Sequence, residues 1–248
     1  MAILDVRDPV AVAVTEAIRG GDVAALRELL AARPGLATSA IGQDGAAAGT
    51  RSLLHIATDW PGHLPHGPET IAALIAAGAD PDARFVGAHA ETPLHWAASN
   101  DDVPALDALV AAGADIEAGG AVIADGTPLT DACAFSQWRA ARRLIEHGAR
   151  TTLHEAASLG LLDRVKELVE GGDPEAGAPD RSDLTSAFWG ACHGDHPATA
   201  RYLLARGADR DWIGYDDKTP LDIAVEAGAD EAATWLRGIG ARTRAELT

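Results

Sequence analysis

"ETPLHWAASNDDVPALDALVAAGAD" at 91–115 and "KTPLDIAVEAGADEAATWLRGIGA" at 218–241 are two versions of one pattern. Further versions are "SLLHIA" at 52–57, "GTPLTDACAFSQWRAARRLIEHGA" at 126–149, "TTLHEAASLGLLDRVKELVEGG" at 151–172 and "TSAFWGACHGDHPATARYLLARGAD" at 185–209. A weaker copy, "VTEAIRGGDVAALRELLAARP", lies at 14–34. Such repetition constrains the fold more than any single motif, because each copy has an apolar face that only its neighbours can bury. Each phrase also has a local job. Thr-Pro starts a helix, with threonine as cap and proline in the first turn. The Ala-Ala pair lets the next helix approach closely, and the glycine of Gly-Ala-Asp suits the left-handed turn that ends a second helix.

The pattern resembles the ankyrin repeat, whose signature runs T-P-L-H-x-A-A, a short turn, a second helix and G-A-D. The resemblance covers nearly the whole chain. It implies an all-α repeat solenoid of helix-turn-helix units joined by β-hairpins or loops. One domain over 1–248 is expected, with repeats near 9–33, 51–83, 91–118, 126–149, 151–175, 184–211 and 217–242, the first and last acting as caps.

Spacing locates the irregularities. With the histidine position of T-P-L-H as anchor (Thr15, His55, His95, Thr130, His154, Trp189, Asp222), the terminating glycine position follows 18 residues later in six repeats. From His55 to Gly78 it is 23, so "TDWPGHLPHGPET" at 58–70 carries a five-residue insertion near 61–66. Pro61, Pro65 and Pro68 stiffen that turn by restricting φ. From Gly148 to the next anchor, His154, there are only 6 residues against 17 for the Gly78, Gly113 and Gly172 connections, so a hairpin is missing near 148–152. The first connection, 33–55, lacks periodicity and is expected to be an extended loop.

A net charge of −17 opposes direct nucleic-acid binding, which needs a basic face, and favours basic or cationic partners. No apolar run approaches the ~20 residues of a membrane span. The start, "MAILDVRDPV", lacks a signal peptide's basic region and long apolar core, and two cysteines make no disulfide framework. Together these suggest a cytoplasmic protein. Cys133 and Cys192 both fall three residues after an anchor, as small core residues too far apart to be bridged.

Most histidines follow from the repeat. His55, His95 and His154 are anchors, which the resemblance implies hydrogen-bond neighbouring loops. His196 fits the turn and His147 a helix C-terminus, leaving His63, His66, His89 and His193 unexplained. In ankyrin arrays, positions one, four and five after the anchor face a concave groove. Here they include Asp59, Trp60, Trp96, Asn100, Asp131, Phe135, Glu155 and His193, with Trp189 replacing an anchor and His63 on the inserted lip. Asp131 and Glu155 share one slot in successive repeats, so they are expected side by side.

The favoured function is a binding scaffold that holds a protein or peptide in this groove through a basic or cationic group, with aromatic anchors and a polar rim. The alternative is a small-molecule-binding protein or an enzyme, performing acid-base hydrolysis or cyclisation of a cationic metabolite with Asp131, Glu155 and His193 as catalytic candidates. No cofactor is indicated. His63 and His66 with Asp59 nearby could ligate zinc, but a lone pair of histidines in a proline-rich turn does not specify a metal site.

Overall fold

The helix pairs expected from the repeated phrases are present in a computed structural model that describes residues 2–42, 49–171 and 177–247. The chain divides into two compact units, 1–149 and 150–248, and the division falls where the missing hairpin was expected.

The first unit runs β1 (Ile3–Asp5), α1 (Pro9–Gly20), α2 (Val23–Ala32), β2 (Ala40–Gly42), β3 (Thr50–Ser52), α3 (Leu53–Ala57), α4 (Gly67–Ala76), α5 (Pro93–Ser99), α6 (Val103–Ala111), α7 (Pro128–Ala134) and α8 (Trp138–Glu146). Leu54, Leu74, Leu94, Leu106, Leu129 and Leu144 are fully buried between successive pairs. Each contributes roughly 1.5–3 kcal/mol relative to exposure. The Ala97–Ala98 pair is equally buried, and its short side chains allow neighbouring helices to approach closely.

Helix starts follow from the T-P-L-H chemistry. In α5 the anchor reaches back: the Thr92 backbone N–H donates to His95 Nδ1 at 3.1 Å. Ser52 and His55 make the same loop at α3, where the His55 N–H also donates to Ser52 Oγ at 3.3 Å. Second helices end as expected in left-handed glycines, with φ 89° at Gly113 and 95° at Gly148.

The 33–55 connection is more ordered than expected. Leu36–Thr38 form a 3₁₀ turn, β2 pairs in parallel with β1 (Ile3↔Ala40), and β3 pairs antiparallel with β2 (Ala40↔Ser52). Residues 43–48 lie outside the described residues. Within the described part of this connection, Leu36, Ala37, Ala40 and Ile41 are buried. A strand whose partner is far along the chain leaves no periodic signature in a local window.

The second unit runs α9 (Leu153–Ser158), α10 (Leu162–Gly171), α11 (Arg181–His193), α12 (Pro197–Ala205), α13 (Pro220–Glu226) and α14 (Asp230–Gly238). Phe188 is fully buried and meets Trp235 edge-on at 6.2 Å. Helix α11 starts three residues before the expected repeat boundary at 184, because Asp180 caps it by accepting the Ser182 and Asp183 N–H groups. The end of the fifth repeat, including the expected terminator Gly172, lies outside the described residues. Cys133 and Cys192 are both buried, and neither is in a disulfide.

Candidate functional site

In the first unit, Asp59, Trp60, Trp96, Ser99, Asn100 and Phe135 converge on a cleft of about 300 Å³. They come from the turn after α3, from α5 and its C-cap, and from the C-cap of α7, the places given by positions one, four and five after an anchor. Three further residues line the cleft, and the slot pattern missed all of them: His89, Glu91 and Val122. They belong to the inter-repeat connections.

Glu91 organises this site although only 5% exposed. Trp96 Nε1–H donates to its Oε2 at 2.7 Å and the Val122 N–H to its Oε1 at 3.1 Å. His89 Nδ1 stands 3.0 Å from Oε2 but without hydrogen-bond alignment. The Glu91 carbonyl is 3.1 Å from His55 Nε2, so the anchor of the second repeat holds the residue that precedes the third repeat's helix. Phe85 stacks on His89 at 4.4 Å and tilts against Trp96 at 5.8 Å, fixing one wall of the cleft.

Asp131 lies beside Glu91 and is fully buried. Neither of its carboxylate oxygens has an aligned hydrogen-bond donor, although the Ile123 backbone and the Glu91 carboxyl lie against them. Burial pushes its carboxyl up to about 8, and the neighbouring Glu91 carboxylate adds to that push. Two acidic side chains this close retain a proton between them under conditions where isolated carboxyls would both be ionised.

The insertion is docked against the turns on both sides of it. Asn100 Nδ2 donates to the Thr58 carbonyl at 2.9 Å, and the His63 N–H donates to Asp102 Oδ2 at 2.5 Å. Pro65 packs so closely on Gly21, which has a left-handed φ of 66°, that a side chain there would collide with it. Asp59 is neutralised by Arg19 at 2.8 Å and Arg51 at 3.0 Å. Trp60 is left 81% exposed at the cleft's edge. His63 is turned toward Asp102, and His66 adopts a left-handed φ at the start of α4. Among the described residues, no group of three His, Cys, Asp or Glu side chains is placed to hold a metal ion.

The remaining predicted site residues lie in the second unit. Glu155 has a local job there: its Oε2 accepts the Thr152 N–H at 2.8 Å, closing the capping box of α9. With no proline at its first position, this helix starts one residue later than the T-P-L-H alignment implies. The capping role therefore moves from the anchor His154 to Glu155. His154 Nδ1 instead contacts Ser186 on α11 at 3.0 Å. Trp189 is buried, donating through Nε1 to the Lys218 carbonyl at 3.2 Å, and packs against His193 and Tyr215. Burial lowers His193 to about 4 and also depresses His154. Of the three acid–base candidates, Asp131 is thus in the first unit, while Glu155 and His193 are buried in the second.

A profile for ankyrin repeats (3 copies) matches residues 54–153 and 153–245. The chain belongs to the ankyrin-repeat family. The crystal structure of the human ASB11 ankyrin repeat domain is similar with a TM-score of 0.51 and 21% identity, covering 93% of this chain and 98% of that one. That likeness concerns the fold, an all-α repeat solenoid. DNA-binding protein RFXANK of Homo sapiens is 31% identical over 77 residues, 31% of this chain and 29% of that protein. Palmitoyltransferase ZDHHC13 of Mus musculus is 31% identical over 86 residues, 34% of this chain and 14% of that protein. The chain thus spans less than a third of either curated relative. Ankyrin repeats generally mediate protein–protein interaction. Among the described residues, no helix is long and apolar enough to cross a membrane.

Proposed function

We propose that this ankyrin array is a binding scaffold and that the cleft of its second to fourth repeats receives a basic side chain of a protein or peptide partner. The observation that carries the reading is the convergence of Trp60, Trp96 and Phe135 around a cleft lined by Glu91, with Asp131 beside it. Aromatic faces attract cations, and a carboxylate fixes their position. Trp60 and Phe135, 81% and 46% exposed, offer the large amphipathic surfaces on which interface hot spots are built. The net charge of −17 supports a basic partner over nucleic acid or an anionic membrane surface. The Asp59 carboxylate serves the lip, because Arg19 and Arg51 already neutralise it.

The same chemistry suits a small organic cation, and a cleft of about 300 Å³ is at the lower end of small-molecule sites. A peptide array and a panel of small amines and guanidines, both read by tryptophan fluorescence, separate the two. Saturable binding of basic peptides, tighter than that of any small cation, supports the scaffold. Tight binding of one small cation alone overturns it in favour of a metabolite site.

A further inference from the structure

We propose that Asp131 and Glu91 form a proton-exchanging receptor for a guanidinium group: the empty pair holds one proton, and an entering arginine side chain displaces it to solvent. This rests on the reading of the cleft as a cation site and adds the ligand's chemical class and the event that accompanies binding.

The two carboxyls are unequally satisfied. Glu91 already accepts from Trp96 Nε1 and from the Val122 N–H. Neither oxygen of Asp131, fully buried, has an aligned hydrogen-bond donor; only the Ile123 backbone and the Glu91 carboxyl lie against it. A buried carboxyl without a donor costs free energy in either protonation state, and most in the ionised one, so the site lacks N–H groups. The protein's own cations do not supply them. Arg84, in the connection before α5, spends Nη1 on the Ala90 and Gly119 carbonyls. His95 on α5 is used at its helix start and held neutral by burial, as is His55 on α3. His89 is placed against Glu91 and Phe85. On α8, Arg143 and His147 are turned to Asp107 and Arg139 to Asp101, while Arg142 is exposed. Asp125, in the turn before α7, adds only further negative charge.

A guanidinium fits this need better than an ammonium. Its planar fork carries five N–H donors and can serve two carboxylates at once, and its plane stacks on an aromatic face such as that of Trp96 or Phe135. Access follows from the same hydrogen bonds. The turn over 121–126 lies against Asp131 through the Ile123 backbone and is tied to Glu91 through the Val122 N–H. A ligand N–H that takes Glu91 Oε1 releases that tie and opens the way to Asp131. As the ligand's positive charge arrives, the proton held between the carboxyls leaves for solvent and both become ionised acceptors.

The test is calorimetric titration of the full chain with N-acetylarginine amide and its neutral citrulline analogue, at pH 6, 7 and 9, in buffers of differing ionisation enthalpy. The inference expects binding of the arginine compound only, release of about one proton at pH 6, and little release at pH 9. The Kd should weaken about tenfold per pH unit below pH 7, because one proton competes with the ligand. Asp131→Asn should bind with pH-independent affinity and release no proton. Arginine binding without proton release, or unchanged release from Asp131→Asn, overturns the inference and leaves the cation-binding cleft standing. Equal affinity for arginine and citrulline, or no binding of either, overturns both. The proton count on the unaltered chain decides even if Asp131→Asn does not fold.

Discussion

Asp131 buries its carboxyl beside that of Glu91, and neither Asp131 oxygen has an aligned hydrogen-bond donor, with only the Ile123 backbone and the Glu91 carboxyl against it. The two residues come from different repeats: Glu91 precedes the first helix of the third and Asp131 lies in the first helix of the fourth. The slot that Asp131 fills, one residue after the anchor, holds Trp96 in the preceding repeat and Glu155 in the following one. A carboxyl buried without a donor weakens the folded state unless something outside the chain uses it.

That cost has a sign in pH. The folded-state value of Asp131, raised to about 8, lies above the ~4 of an unfolded aspartate. The group's favourable contribution is therefore complete below pH ~4 and is lost as pH rises to about 8. Asp131→Asn should be more stable than the unaltered chain at pH 8–9, by a few kcal/mol, with the gap narrowing toward pH 4. Thermal melts across that range check it.

The buried histidines act in the opposite direction. His55, lowered to about 4 by burial, binds its proton more readily when unfolded, with a reference value near 6.5. Its stabilisation is full above pH ~6.5 and falls away as pH drops to about 4, by roughly 3 kcal/mol at the limit. His193 adds a loss of the same sign in the second unit. Urea unfolding of Asp131→Asn at pH 7 and pH 4.5 isolates this acid limb from the aspartate. The midpoint should fall at pH 4.5.

Asp102 joins the inserted turn to the next repeat while capping α6, accepting the His63 N–H with one oxygen and the Ala105 N–H with the other. Asp102→Ala removes both bonds and should cost about 1–3 kcal/mol in denaturant unfolding. Asp102→Asn keeps a cap and should lose less.

At α9, Glu155 rather than the anchor His154 closes the capping box. Glu155→Gln preserves that bond and should leave stability within ~0.5 kcal/mol of the parent. Glu155→Ala should cost about 1 kcal/mol. Equal losses from both variants would mean that the charge, rather than the cap, is what matters at this position.

The helix-turn-helix repeats were legible because glycine, proline and the T-P-L-H phrase act locally and recur at countable distances. The same counting placed Asp59, Trp60, Trp96, Asn100 and Phe135, which line one cleft. Glu91 was not legible this way, since it precedes the helix and belongs to no groove slot; its signal was His89-x-Glu91 immediately before T-P-L-H. Glu155 misled for a different reason. Without a proline to set the first turn, the helix start moved by one residue, and the capping role moved with it. The β1–β2 pairing joins segments separated by a whole helix pair, which local periodicity does not report.

The most direct test of the cleft as a receptor for basic side chains is a peptide-array binding measurement on the unaltered chain beside Glu91→Gln and Trp96→Ala. Retained peptides should be enriched in arginine or lysine, and both substitutions should weaken that retention at least tenfold while circular dichroism shows the helices intact. Retention of neutral or acidic peptides, or retention that survives both substitutions, would contradict it.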